Sequence, residues 1–201
     1  MKRWVAMLAL VCAGWPGLAS AQNDTIFASS YKLEAEKKYD AAAQAITALA
    51  DGGNEFARLR LGWLTYLAGK YNDSISHYNR LLQVNANSID ARLGVTLPLL
   101  AQQRWQDAAA QARHVLQLSP WDYTAHVRLM ICEEALKQWQ VLEQHAASVA
   151  AAYPSDATSL IYLARARAWQ RNVAGAKQAY SKVLERYPQN EEARAYLKSS
   201  S

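Results

Sequence analysis

The sequence predicts an all-α protein, a solenoid in which about five pairs of antiparallel helices stack and a last helix closes the end. Three observations carry that prediction. Aromatic residues recur at a fixed interval: Trp139 stands 34 residues after Trp105, and Tyr71 stands 34 before it. Prolines keep the same interval, at Pro120, Pro154 and Pro188. Between these markers run amphipathic stretches such as RWQDAAAQARHVLQLSPWD over 104–122, where apolar residues recur at helical spacing and a proline ends the run. A period of this length marks stacked helix pairs, none of which buries its apolar face alone.

Taken in order, the chain opens with MKRWVAMLALVCAGWPGLASA. Lys2 and Arg3 precede an apolar run from Trp4 to Ala13, a Gly-Trp-Pro-Gly break follows, and Ala19, Ser20 and Ala21 end it. This is the pattern of a secretory signal peptide cleaved before Gln22, so the mature chain is expected outside the cytoplasm, in the periplasm. A membrane anchor needs about 20 apolar residues, and this run is shorter and broken by Pro16. Val11 stands where lipid attachment at Cys12 wants a small residue. Cleavage removes two positive charges and takes the net charge from +5 to +3, and no integral membrane span is expected afterwards. It leaves Cys132 as the one cysteine, so no intramolecular disulfide forms and stability rests on packing. The basic residues are scattered rather than gathered into a stripe, which speaks against nucleic acid as a partner.

The rest divides into tiles at about 23–54, 55–88, 89–122, 123–156 and 157–190, with an end helix over 191–198. In the second tile Leu61-Gly62 is followed by the turn Gly69-Lys70-Tyr71, Ser74 at a small position, Tyr78 at an aromatic one and Leu81-Leu82 near the end. The third supplies Trp105, Ala108, Ala112, Val115, Leu116 and Pro120, and the fifth Ala176, Tyr180, Val183, Leu184 and Pro188. In these residues the chain resembles the tetratricopeptide repeat (TPR) family over nearly all of its length beyond the leader.

The resemblance implies a right-handed superhelix of helix pairs. In it, the aromatic opening each second helix (Tyr39, Tyr71, Trp105, Trp139) plugs the seam between its two helices, and small residues behind it let the backbones approach. There are departures. Arg58 fills a slot usually held by a large apolar residue, Leu142 stands where a small one is usual, and the Gly62 position reads Ser30, Thr96, Met130 and Ala164 elsewhere. Pro98 falls inside a first helix and removes its hydrogen bond to Gly94, so a bend is expected there. In the end helix Ala193, Tyr196 and Leu197 should face inward, and Glu191, Glu192, Arg194 and Lys198 should face water.

Within each first helix, tile positions 4, 7, 8 and 11 share an inward face, and positions 2, 5, 9 and 12 share another roughly 120° round. In TPR proteins the second face lines the concave groove that holds partner segments. Here it reads Asp24, Phe27, Tyr31 and Glu34, then Phe56, Leu59, Trp63 and Tyr66, then Asp90, Leu93, Leu97 and Leu100. The last two tiles add Thr124, Val127, Ile131 and Glu134, then Thr158, Ile161, Arg165 and Ala168. The expected partner-binding set is Phe27, Tyr31, Leu59, Trp63, Tyr66, Leu93, Leu97, Val127, Ile131 and Arg165. The aliphatic members fit equally well against neighbouring first helices, whereas Tyr31, Trp63 and Tyr66 read as groove anchors.

The family's clamp for the C-terminal carboxylate of heat-shock chaperones uses Lys and Asn at positions 5 and 9 of its first tile. Neither occurs in those columns here, so the expected ligand is an apolar or amphipathic protein segment. Asp24 and Glu34 at one end and Arg165 at the other, with Trp169 a turn on to stack on the guanidinium, offer a means of orienting it.

No catalytic, cofactor or metal site is expected. The four histidines (His77, His114, His126, His145) fall on different faces, Glu133 and Glu134 point about 100° apart on a helix, and no metal, phosphate-loop or nucleophile motif occurs. Cys132 reads as a buried, inert thiol. The expected function is a non-enzymatic interaction module of the cell envelope. In bacteria, resemblance suggests an adaptor subunit of a secretion, polysaccharide-export or outer-membrane assembly machine. A holdase for an exported client is the alternative, and self-association through the groove and use of the convex second-helix face stay open.

Overall fold

Helices alone make up the regular structure of residues 16–199, the part of the chain that the computed structural model describes. They are α1 (Pro16–Ala35), α2 (Tyr39–Asp51), α3 (Glu55–Leu67), α4 (Tyr71–Val84), α5 (Ile89–Ala101) and α6 (Trp105–Leu118). The rest are α7 (Tyr123–Ala135), α8 (Trp139–Ala152), α9 (Ala157–Trp169), α10 (Val173–Arg186) and α11 (Glu191–Ser199). Each helix packs on the next, and α3, α5, α7 and α9 also touch one another in series, which gives a solenoid of antiparallel helix pairs with α11 closing the end. Up to residue 15 the expected signal peptide lies outside the described residues.

Local chemistry fixes both ends of the helices. The side chains of Asn54, Ser88, Asp122 and Asp156 accept the backbone N–H of Ala57, Ala91, Ala125 and Ser159, and Asn190 does the same for Ala193 ahead of α11. These five caps stand 34 residues apart, a periodic marker as regular as the prolines. Each satisfies an amide that the first turn of a helix leaves without a partner. First helices end in a left-handed residue: Gly69 at φ 75°, and in the other pairs Lys37, Gln103, Lys137 and Arg171 at φ 56–61°. The amide that follows (Lys38, Lys70, Arg104, Gln138, Asn172) returns to the carbonyl five residues back at 2.9 Å each time. Four of the five turns therefore hold a long side chain where glycine is least strained.

The core is three clusters in line. One gathers Ala42, Ile46, Leu61 and Leu64, the next Tyr78, Leu81, Val95, Leu99 and Leu129, and the last Met130, Leu142, Val149, Leu163, Tyr180 and Val183. Two pairs show how residue size sets helix spacing. In α3–α4 the Tyr78 ring lies against Gly62, where an added Cβ would stand 2.6 Å from Tyr78 Cζ, and Ser74 Oγ donates to the Gly62 carbonyl at 2.6 Å. Gly94 of α5 meets the same ring even more closely, so two bare backbones clasp one aromatic. That contact explains Gly94, and α5 runs on through Pro98 to Ala101. In α7–α8, Met130 and Leu142 are both fully buried, and these two helices have the sparsest packing of any consecutive pair.

The aromatics that open the second helices are half-buried rather than wholly enclosed. Cys132 is buried, and loss of solvent pushes its thiol up to about 11. In α11, Ala193 is buried and Tyr196 and Leu197 are half-buried, but Glu192, expected in water, turns inward onto Arg165 and Tyr180.

Candidate functional site

The first helices form one wall of the solenoid, and its N-terminal end is aromatic. Tyr31 (48% exposed) and Phe56 (50%) are open to solvent, and half-buried Phe27 meets Phe56 with ring centroids 5.2 Å apart. Arg60, buried at 6%, lies with its guanidinium carbon 3.6 Å from the Tyr31 ring centre and donates to Ser30 Oγ at 3.1 Å and Glu34 Oε2 at 2.8 Å. The other Glu34 oxygen accepts from Trp63 Nε1 at 2.6 Å. Glu34 is thus held by both a guanidinium and an indole from α3, and α1 is pinned to α3. Trp63 continues into Tyr66 (5.7 Å) and Tyr66 into Tyr71 (5.9 Å), a ribbon of rings across the α3–α4 turn. Trp63 and Tyr66 are half-buried.

Along the middle, Leu59, Leu93, Leu97, Val127 and Ile131 are each half-buried, between the two placements open to them. Arg128 reaches back from α7 to α5, donating to the Leu93 carbonyl and to Thr96 Oγ1 at 2.6 Å. Arg60 and Arg128 share a tile position, 68 residues apart, and each ties its helix to the preceding first helix. Sequence reasoning passed over both, although that shared register was the available signal.

At the far end Arg165 is fully engaged. Its Nε and an Nη donate to the two Glu192 oxygens at 2.8 and 2.6 Å, and the other Nη reaches Glu134 at 3.2 Å. The Glu192 hydrogen bonds hold the Arg165 guanidinium above its ordinary range, and Arg165 in turn holds the Glu192 carboxyl below its own. Glu192 also accepts from Tyr180 Oη at 2.6 Å. The expected stacking of Arg165 on Trp169 does not form. A bidentate carboxylate fixes the guanidinium, 5.6 Å from the Tyr162 ring centre, while Trp169 (65% exposed) stacks on Trp139 at 5.1 Å with planes 7° apart. Glu34 and Arg165 are both neutralised by partners inside the fold, so they do not form the free opposed charges expected to orient a ligand.

Away from this wall, a cleft of about 360 Å³ between α8, α9 and α10 is floored by Leu160, Leu163 and Ala179 and rimmed by Arg167, Lys182 and Arg186. Among the described residues no cluster of His, Cys, Asp and Glu is arranged to hold a metal ion, and no helix is long and apolar enough to cross a membrane. Two histidines expected on separate faces, His126 and His145, are in fact hydrogen-bonded to each other, with Glu133 beside them.

No protein-family model and no curated protein matches the chain. Solved structures do match. MamA from Desulfovibrio magneticus RS-1 superposes with a TM-score of 0.74 at 14% identity, covering 84% of this chain and 96% of that one. A tetratricopeptide repeat protein from Parabacteroides merdae gives 0.77 at 13%, covering 88% and 71%. YrrB, described as a TPR protein with an unusual peptide-binding site, gives 0.73 at 14%, covering 92% and 100%. The chain has the TPR fold. On that fold, the wall of first helices presents rings and aliphatic side chains; Arg60 and Arg165 are paired with carboxylates, and Arg128 is hydrogen-bonded to neutral oxygens.

Proposed function

We propose that this protein is a non-enzymatic docking module of the cell envelope that holds an apolar or amphipathic segment of another protein in its concave groove. Tyr31, Phe56, Trp63 and Tyr66 anchor that segment. One observation carries the reading: Arg60, Arg128 and Arg165 are all occupied by acceptors within the fold, while Tyr31 and Phe56 stand open. At Tyr31 and Phe56 an arriving segment meets rings beside a paired Arg60 and Glu34, and burying apolar surface there is then the main source of affinity. The peptide-binding site in the description of YrrB supports a peptide ligand, and the leader-like N-terminus supports an envelope location.

The test is affinity capture from native envelope extract with three folded forms of the protein, checked by circular dichroism. They are wild type, Tyr31→Ala/Phe56→Ala and Trp63→Ala/Tyr66→Ala. A single stoichiometric partner lost from both variants supports the adaptor reading. Loss of many exported polypeptides together would mean a holdase instead. Full retention in both variants rules out the groove and turns attention to the convex face.

A further inference from the structure

Between α7 and α8 three titratable side chains form one hydrogen-bonded chain. His126 Nε2 lies 3.0 Å from the Pro120 carbonyl oxygen, His126 Nδ1 lies 2.8 Å from His145 Nε2, and His145 Nδ1 lies 2.8 Å from Glu133 Oε2. All are shielded from solvent, with Glu133 3% and His126 8% exposed and the His145 side chain 14% exposed. Both ends of the chain are acceptors. A carbonyl has no proton to give, so His126 Nε2 carries one. On a neutral ring His126 Nδ1 is then bare and must accept, so His145 Nε2 carries a second. The contact from His145 Nδ1 to Glu133 holds a third. Two neutral imidazoles and a carboxylate supply only two protons, one fewer than the geometry uses.

We propose that this chain is a proton-counting latch between α7 and α8, closed when its three side chains share three protons and opened by gain or loss of one. Closed, it has no net charge. Loss of a proton turns two lone pairs toward each other at one contact and leaves a negative charge in a sheltered seam. Gain of a proton sets N–H against N–H between the imidazoles and leaves a positive charge. Both states place an unmatched polar contact where little water can repair it. The charged and titratable groups acting on His126 are His145, Glu133 and Asp122, the cap of α7. Burial, the largest influence, holds His126 below its ordinary 6.5, in keeping with a neutral ring that accepts at Nδ1.

The location turns the chain into a device. The TPR frame brings the same two positions together in the third pair, where Arg92 donates to Gln111 at 2.7 Å. There neither partner titrates near neutrality. Only the fourth pair puts two histidines and a carboxylate in this register, and it does so where α7 and α8 pack most sparsely. The latch also holds the corner between α6 and α7. His126 grips the Pro120 carbonyl, Tyr153 Oη donates to the Trp121 carbonyl at 2.6 Å, and the exposed Trp121 ring rests on His126 at 5.8 Å. Opening the latch frees that corner and resets the angle between successive pairs, and with it the curvature of the wall.

The experiment is ¹⁵N NMR of the imidazoles in the full chain from about pH 5 to about pH 9, with amide hydrogen exchange over the same range. Where α7–α8 protection is greatest, His126 should be protonated at Nε2 alone and His145 at both nitrogens. Protection of α7, α8 and residues 119–122 should fall at least about tenfold on either side, the effect of one pKa unit, while α3–α4 stays level. Glu133→Gln keeps the shape but removes the carboxylate that supports the third proton, and should flatten the maximum. A proton on His126 Nδ1 at maximal protection, or α7–α8 protection that follows α3–α4 at every pH, overturns the latch. The wild-type spectra decide the matter even if the variant does not fold.

Discussion

In the α3–α4 pair, Gly62 and Ser74 let two helices close on a tyrosine ring; in the α7–α8 pair, Met130 and Leu142 fill the matching positions and the helices stand further apart. The frame of the two is the same. Each first helix starts from a side-chain cap, each turn has a left-handed residue, and each second helix opens with an aromatic. The period therefore fixes which elements pair, and side-chain volume fixes how closely. Space between helices also decides what chemistry the seam tolerates. The tight pair has a hydroxyl bonded to a carbonyl, and the loose pair has room for two imidazoles and a carboxylate.

The sharpest way to break this comparison is Leu142→Ala. Leu142 is fully buried, so truncation should cost about 2–5 kcal/mol in denaturant unfolding. A cost near zero would mean that α8 closes onto α7 and that Leu142 is not what separates them. Gly62→Ala tests the other side. Its Cβ would meet the Tyr78 ring at 2.6 Å, and overpacking of this kind costs about 1–3 kcal/mol. The same change should be relieved by Tyr78→Phe far less than by Tyr78→Leu, because the ring carbons cause the clash.

The turns give a smaller pair of effects with opposite signs. Gly69→Ala at φ 75° should destabilise, and Lys137→Gly at φ 56° should stabilise, each by about 1 kcal/mol in thermal or urea unfolding. Equal losses from both would show that Lys137 makes a contact worth more than its backbone strain. The least is the share of the pH effect that belongs to His126 alone. Burial depresses His126 in the fold, so as pH falls through 6.5 the unfolded chain takes up a proton first and stability declines; above that the His126 contribution is constant, and any fall on the alkaline side belongs to the shared proton of the latch. His126→Phe should remove most of that decline on the acid side and leave the Gly62 seam unaffected.

Much of this was legible in the sequence. The interval between Trp105 and Trp139, repeated in the prolines, reveals a solenoid because one supersecondary unit recurs intact, and the caps from Asn54 to Asn190 repeat the same message. Which side chains meet across two helices was harder. His126 and Glu133 occupy inward tile positions, but their partner His145 lies on the next helix, and a helix face says nothing of what another helix brings to it. Arg165 and Trp169, four residues apart, suggested a stack by helical spacing alone. The carboxylate of Glu192 comes from another helix and binds the guanidinium more strongly. Arg60 was lost for the same reason: its ring and its acid both belong to the preceding pair.

The three core clusters in line bear on how the molecule answers force. No side chain spans the whole length, so tension applied at the two ends loads one seam after another instead of a single interlocked interior. The first seam to yield is the one with least contact, α7–α8. A partner pulling on the wall therefore meets a spring with one soft coil near its middle, and the stiffness of that coil depends on a proton.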